Sequence, residues 1–269
     1  MKKLPKEVNT DIQAYIKDLD KRQDNVYLLG SREEEYKYLI HNQDRFLDVF
    51  ATLDKLLPTL PEPISLLDIG VSPFTLILKK RYPQIKLYAI DYSLKLQKLC
   101  LDNGINFQVC DLNKGYFKLP KNKFNVVTFL EVIEHLKKNH SKALKHILGS
   151  LSKGGYCIIQ TPNKYALKNL ILGLVPQKLW NALSNTQFGN DEFSHFKEFS
   201  LQELTKLINE VEEGRILKAE HRMYFDTLDS TLIYRKNQEL FKPFFQLNYN
   251  LVKLVSPLRR GMEVIIQKN

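Results

Sequence analysis

The feature that most constrains this chain is a rhythm. From residue 64, short apolar runs alternate with stretches of helical spacing. The runs are ISLLDIG, KLYAID, NFQVCD, NVVTFLE and GYCIIQT, and between them lie PFTLILKKRY, YSLKLQKLCLDN and KNHSKALKHILGSL. Alternation of this kind predicts βαβ units and therefore a parallel sheet with helices on both faces. The runs are apolar at consecutive positions, as strands covered on both sides require. The expected fold class is α/β, a doubly wound, mostly parallel sheet.

After Thr161 the rhythm breaks. SLQELTKLINEV predicts a helix with Ser200 as N-cap and Glu203 completing a capping box. RILKAEHRMYF and GMEVIIQKN read as two late strands. Residues 1–60 predict a helical segment, because Tyr38, Leu39, Phe46, Leu47, Phe50, Leu53 and Leu56 recur at helical spacing. PTLPEP then ends the pattern. The main domain is expected over 61–269, with helical cap inserts at about 162–193 and 236–256.

With 269 residues, 43% of them hydrophobic and 26% charged, the chain can bury an ordinary core. No apolar run approaches the roughly 18 residues of a membrane-crossing helix. The basic start MKKLPKEVNTDIQAY lacks the apolar core of a signal peptide. Cys100, Cys110 and Cys157 show no metal-type spacing and read as reduced thiols of a cytoplasmic protein. The net charge is +10 and is concentrated in residues 61–160, which hold 15 Lys/Arg against 7 Asp/Glu. Such a balance attracts RNA, anionic lipid or an acidic substrate, and is also the ordinary look of a solvated face.

Acids stand at the ends of three successive predicted strands. In open α/β sheets, ligands bind outside the carboxyl ends of the strands. Asp68 and Gly70 end the first, and Gly70 lets backbone approach a ligand closely. Ser72 suits an N-cap and Pro73 a first helical position, so an early helix start replaces a flexible loop. Asp91 ends the second strand, 21 positions after Gly70, where a carboxylate can accept both hydroxyls of a ribose. Asp111 ends the third and can accept from an adenine amino group. The row predicts a nucleoside-containing cofactor.

LLDIGVSPF, LYAIDYS, VCDLNKG, FNVVTFLEVIEHL and LSKGGYCIIQTPN occur in an order and spacing similar to those of class I S-adenosylmethionine-dependent methyltransferases. The resemblance covers roughly residues 60–205, and its style is nearest the quinone-biosynthesis O-methyltransferase group. It implies seven strands, the last antiparallel and inserted at an edge, and S-adenosylmethionine as cofactor. It also implies Asp68, Gly70 and Ser72 near the methionine part, Asp91 and Tyr92 at the ribose, and Asp111 and Leu112 at the adenine. Glu131 would lie close to both sulfonium and acceptor. The family's D-x-G-x-G-x-G stands here as D-I-G-V-S-P-F, with Ser72 and Phe74 replacing glycines.

A hydroxyl acceptor must lose a proton. His135, in EVIEHL, and His195, in SHFKEFS, are the candidate catalytic groups, together with Glu131. The spacing predicts Glu131, Glu134 and His135 on one helical face. The reading is O-methyl transfer, without metal, to a small-molecule or lipid-like acceptor. Leu167, Leu170, Ile171, Leu172, Leu174 and Val175, interrupted by Lys164, Lys168 and Lys178, suit peripheral contact with a membrane. An alternative takes Glu131, Glu134, His135 and His195 as a metal set, because these residue types also resemble those of RNA-terminal 2′-O-methyltransferases of small RNAs. A third reading is a cofactor-binding protein without turnover. Nothing in the sequence sets an oligomeric state.

Overall fold

The computed structural model describes residues 10–21, 28–114, 119–167, 169–170, 195–223 and 238–269. Two helices come first, α1 (Thr10–Lys21) and α2 (Arg32–Leu56). Then follow β1 (Ser65–Ile69), α3 (Pro73–Arg81), β2 (Lys86–Asp91), α4 (Gln97–Asp102), β3 (Asn106–Val109), β4 (Phe124–Leu130), α5 (His140–Ser150) and β5 (Leu151–Pro162). The remaining described elements are α6 (Leu201–Val211), β6 (Gly214–Arg222), α7 (Gln238–Leu254) and β7 (Gly261–Lys268). Of the expected cap inserts, residues 171–194 lie outside the described residues, and with them most of the apolar stretch 167–175.

The strands form one seven-stranded sheet in the order β3-β2-β1-β4-β5-β7-β6. The first five pair in parallel, and β7 runs antiparallel to both β5 and β6. This is the doubly wound α/β architecture. The antiparallel strand anticipated at the edge is inserted one place in from it, and β6 forms the edge. Burial explains the placement. Gly261 through Ile266 of β7 are all buried, whereas β6 exposes Arg215, Leu217 and Ala219 at every second position. An interior strand must satisfy neighbours on both faces, and an edge strand tolerates charge.

Helices cover both faces, each over its own apolar cluster. On one side α1, α2 and α3 pack through Tyr15, Phe46, Phe50 and Phe74 onto Leu66 and Leu87. On the other, α5 and α6 pack through Leu144, Ile147, Leu204 and Ile208 onto Val127, Ile159 and Val264. The three cysteines are buried and free. Cys110 lies one residue past β3 rather than within a strand.

The turn after β1 is where the sequence departs from glycine. Helix α3 starts at Pro73, with Ser72 as its N-cap. Phe74 is 1% exposed. Its ring stacks on Phe50 at 5.2 Å and tilts against Phe46 at the same separation, both on α2. The aromatic in the glycine position therefore faces away from the crevice and docks the N-terminal helix onto the sheet. Burying a side chain of this size contributes about 2–3 kcal/mol.

Candidate active site

Strand order reverses between β1 and β4, the place where an open sheet leaves a crevice outside its carboxyl ends. Gly70 sits at its centre with φ +85, and its N–H donates to Ile90 O at 2.9 Å. A Cβ there would lie 2.7 Å from Val132 Cγ2, so the two turns close on each other only over a glycine.

Asp91 ties the first two turns together. Its Oδ2 accepts from Val71 N at 2.9 Å and its Oδ1 from Ser93 N at 2.8 Å. Burial pushes its carboxyl up, and the backbone N–H donors pull against that. Asp68 lies beneath the turn, 1% exposed. Thr75 Oγ1 donates to its Oδ2 and Thr128 Oγ1 to its Oδ1, each at 2.6 Å. Burial raises Asp68 to about 6, against the two hydroxyls and Arg45. Thr75 Oγ1 also accepts from Ser72 N at 3.0 Å, so one hydroxyl links Asp68 to the helix start.

The third strand end is joined to the second, because Cys110 N donates to Asp91 O at 2.8 Å. Asp111 Oδ1 accepts from Asn113 N at 2.9 Å and shapes the turn that buries Leu112. Tyr92 is exposed beside Asp91. The structure thus brings Asp68, Gly70, Ser72, Asp91, Tyr92, Asp111 and Leu112 to adjacent strand ends.

The β4 side differs from the helical face expected for it. Glu131 has φ +55, and only a 3₁₀ turn, Ile133–His135, follows. The left-handed residue swings the chain before a helix can form, so Glu131 turns toward α2 while Glu134 and His135 stay together, Oε1 and Nε2 3.9 Å apart. Glu131 N donates to Gln160 O at 2.8 Å, and its buried Oε1 lies 3.7 Å from Arg45 Nη1 of α2. Glu134 is fully buried and its Oε2 accepts from Thr161 Oγ1 at 2.9 Å. Burial and the neighbouring Glu131 push its carboxyl well above the usual range. His135 points outward and meets His195 edge to face, with ring centroids 5.0 Å apart. His195 Nδ1 is 3.0 Å from Glu198 Oε1. One oxygen of Glu134 and one ring nitrogen from each histidine lie within 4.8 Å of one another.

Several contributors escaped sequence reasoning. Arg45 is 2% exposed, contacts Tyr38 Oη at 3.0 Å through Nη2, and faces Glu131. The available signal was a polar row, Tyr38, Asn42 and Arg45, running along the apolar side of α2. Thr75, Thr128 and Thr161, which hold the buried carboxylates, carried no signal beyond ordinary strand and helix composition.

Residues 40–211, more than half of the chain, match a family described as Methyltransferase domain. A trans-aconitate 2-methyltransferase from Pseudomonas aeruginosa is 27% identical over 137 residues, covering 50% of this chain and 48% of the relative. The matches span less than half the length of the curated relatives. Among solved structures, phosphoethanolamine N-methyltransferase 2 of Haemonchus contortus, in complex with S-adenosyl-L-methionine, aligns with TM-score 0.59 at 15% identity. That alignment covers 98% of this chain and 61% of that one. A SAM-dependent methyltransferase from Archaeoglobus fulgidus aligns with TM-score 0.51 at 18% identity, over 87% of this chain and all of the other. These likenesses establish the shared fold. Among the described residues, no helix is long and apolar enough to cross a membrane.

Proposed function

We propose that this chain, which belongs to the methyltransferase domain family, transfers a methyl group from S-adenosylmethionine to the oxygen of a small-molecule or lipid-like acceptor. The observation that carries the reading is one crevice in which a row of strand-end acids runs directly into a Glu–Glu–His–His cluster. The first half suits an adenosine, and the second suits a hydroxyl that must be ionised. The names of the relatives, trans-aconitate and phosphoethanolamine methyltransferases, also point to small acceptors.

The residues fit the cofactor. Gly70 leaves the space that a side chain would fill. Each Asp91 oxygen accepts one backbone N–H, and a carboxylate oxygen has a second lone pair with which to accept a ribose hydroxyl. Tyr92 and Leu112 flank the nucleoside, and Asp111 takes the adenine amino group. Asp68 acts from below, holding Thr75 and hence the Ser72–Pro73 helix start toward the methionine end. The cofactor supplies an activated methyl group on a sulfonium. The chain must align an acceptor with it and exclude water.

Glu131 joins the two halves, its carboxylate held near Arg45 and placed where a positive sulfonium is favoured. The His135–His195 pair is where the acceptor hydroxyl is ionised, with His195 oriented by Glu198. Replacing His135 or His195 singly by Ala should lower turnover by about 10²–10⁴ and leave affinity for S-adenosylhomocysteine unchanged. Full turnover in both variants would remove the pair from the chemistry.

A further inference from the structure

We infer that a polar cavity beside the crevice seats an anionic group of the methyl acceptor, a carboxylate or a phosphate, and that Arg259 meets it. Assigning that group to the acceptor rests on the methyl-transfer reading above, whereas the anion seat stands on the geometry of the cavity.

The cavity, about 570 Å³, opens between α2, the start of α6, the end of β6 and the loop before β7, with Asp48, Leu201, Arg222, Ser256 and Arg259 among its walls. It stands at the same end of the sheet as the crevice. Arg222 pairs with Gly261 of β7, and Gly261 with Pro162, the last residue of β5. Asp48 follows Arg45 by three residues on α2, a rise of about 4.5 Å, and Arg45 faces Glu131.

The charges on its walls are not all cancelled. Asp48 and Glu220 both pair with Arg222, Asp48 at 2.8 Å, and Glu220 also pairs with Lys218 at 2.9 Å. Arg259 is placed differently. Its Nε, Nη1 and Nη2 donate to the carbonyls of Val252, His221 and Lys253, at 3.2, 3.2 and 3.0 Å, and among the described residues no carboxylate pairs with it. Carbonyls fix a guanidinium in place without neutralising it. Three of its five N–H groups are used, which leaves two to donate. A half-buried cation of this kind attracts an anion more strongly than the same cation in open water. Burial and the Arg259 charge push the imidazole of His221 down, so that charge already acts on its neighbours.

The loop that carries Arg259 also reaches the crevice. Arg260, the next residue, acts on Glu131 and favours its ionised form, against the burial that pushes it up. Arg260 O accepts from Asn163 N, and Asn163 Nδ2 donates to the carbonyls of Pro257 and Arg259, each at 2.8 Å. Asn163 is 1% exposed and follows directly on β5. One braced loop therefore presents successive arginines to the cavity and to the crevice. An acceptor anchored by its acid group at Arg259 extends along that loop toward Glu131.

The test uses the full chain, labelled with ¹⁵N. Sodium malonate and inorganic phosphate are titrated separately, with backbone amide shifts as readout, and S-adenosylhomocysteine is titrated in parallel. Expected are saturable shifts at His221, Arg222 and Arg259, with affinity lowered at least about tenfold in Arg259→Gln while S-adenosylhomocysteine still binds. The tighter of the two anions identifies the acid. Arg259→Gln gives up bonds to α7, so Ser256→Asp, which sets a carboxylate in the cavity beside Arg259, carries the test should the first variant fail to fold. No shifts at these residues, or undiminished affinity in the variants, would overturn the seat. Methyl transfer is then followed with malate and glycerol phosphate beside malamide and glycerol. Preference for the charged members, reduced in the variants, supports the link to the acceptor, and equal or greater transfer to the neutral members would overturn it. No transfer at all in a protein that binds the anions would tell against the methyl-transfer reading and leave the seat standing.

Discussion

On the side of β1 to β3, the carboxylates are already held by the protein. Both oxygens of Asp68 accept hydroxyls, and both of Asp91 accept backbone N–H groups, all within 2.9 Å. On the side of β4, Glu131 and Glu134 each keep a buried oxygen without a hydrogen bond, and the two histidines are half-exposed. The first half is assembled from neighbouring strand ends. The second is drawn from α2, the β4 turn and the 195–199 segment. A cofactor common to a whole family can be met by a braced, local scaffold. In the reading proposed above, an acceptor particular to one chain is met by parts brought from far apart.

The largest expected effect breaks the joint between the halves. Phe74 docks α2, and α2 carries Arg45. Phe74→Ala should lower unfolding stability by about 3–5 kcal/mol, measured by urea denaturation. A loss below about 1 kcal/mol would show that α2 is seated independently of the cofactor turn.

A somewhat smaller effect probes the bracing itself. Asp68 has a folded pKa of about 6 against an ordinary 3.8, so between those values the folded state holds more protons than the unfolded one. The penalty is absent below the lower value and grows as pH rises toward the upper. Asp68→Asn cannot ionise. Its stability relative to the parent should therefore shift in its favour by up to about 3 kcal/mol between roughly pH 4 and pH 7. A difference that stays constant over that range would refute a buried, titrating Asp68.

Smaller still, and confined to the cofactor half, is Gly70→Ala. Left-handed backbone and the contact with Val132 should cost about 1–3 kcal/mol, with weaker S-adenosylhomocysteine binding. Adding Val132→Ala should restore the part due to contact and leave the part due to φ. No recovery would place the whole cost in the backbone.

These contrasts explain what was legible beforehand. Strand ends marked by Asp68, Asp91 and Asp111 follow from local pattern, because apolar runs stop where polar turns begin. Ser72 and Pro73 announced the helix start for the same reason. The inward role of Phe74 was hidden, since a residue in a ligand loop and a residue anchoring a helix look alike until α2 is in place. Glu131, Glu134 and His135 suggested one helical face, but Glu131 takes a left-handed backbone while its N–H still donates to Gln160 O of β5, and a helical spacing pattern does not show that turn. Arg45 carried no reading of its own in the helical pattern of α2, and only its burial opposite the partly buried Glu131 gives it meaning.

The central claim is that the strand-end acids form one grip on an adenosine cofactor. Calorimetric titration of the full chain with S-adenosylhomocysteine, beside Asp91→Ala, tests it most directly. The account predicts single-site binding in the parent and a loss of about a hundredfold in the variant, equivalent to about 3 kcal/mol, as expected when charged hydrogen bonds are removed. No binding in the parent, or equal binding in the two proteins, would contradict it.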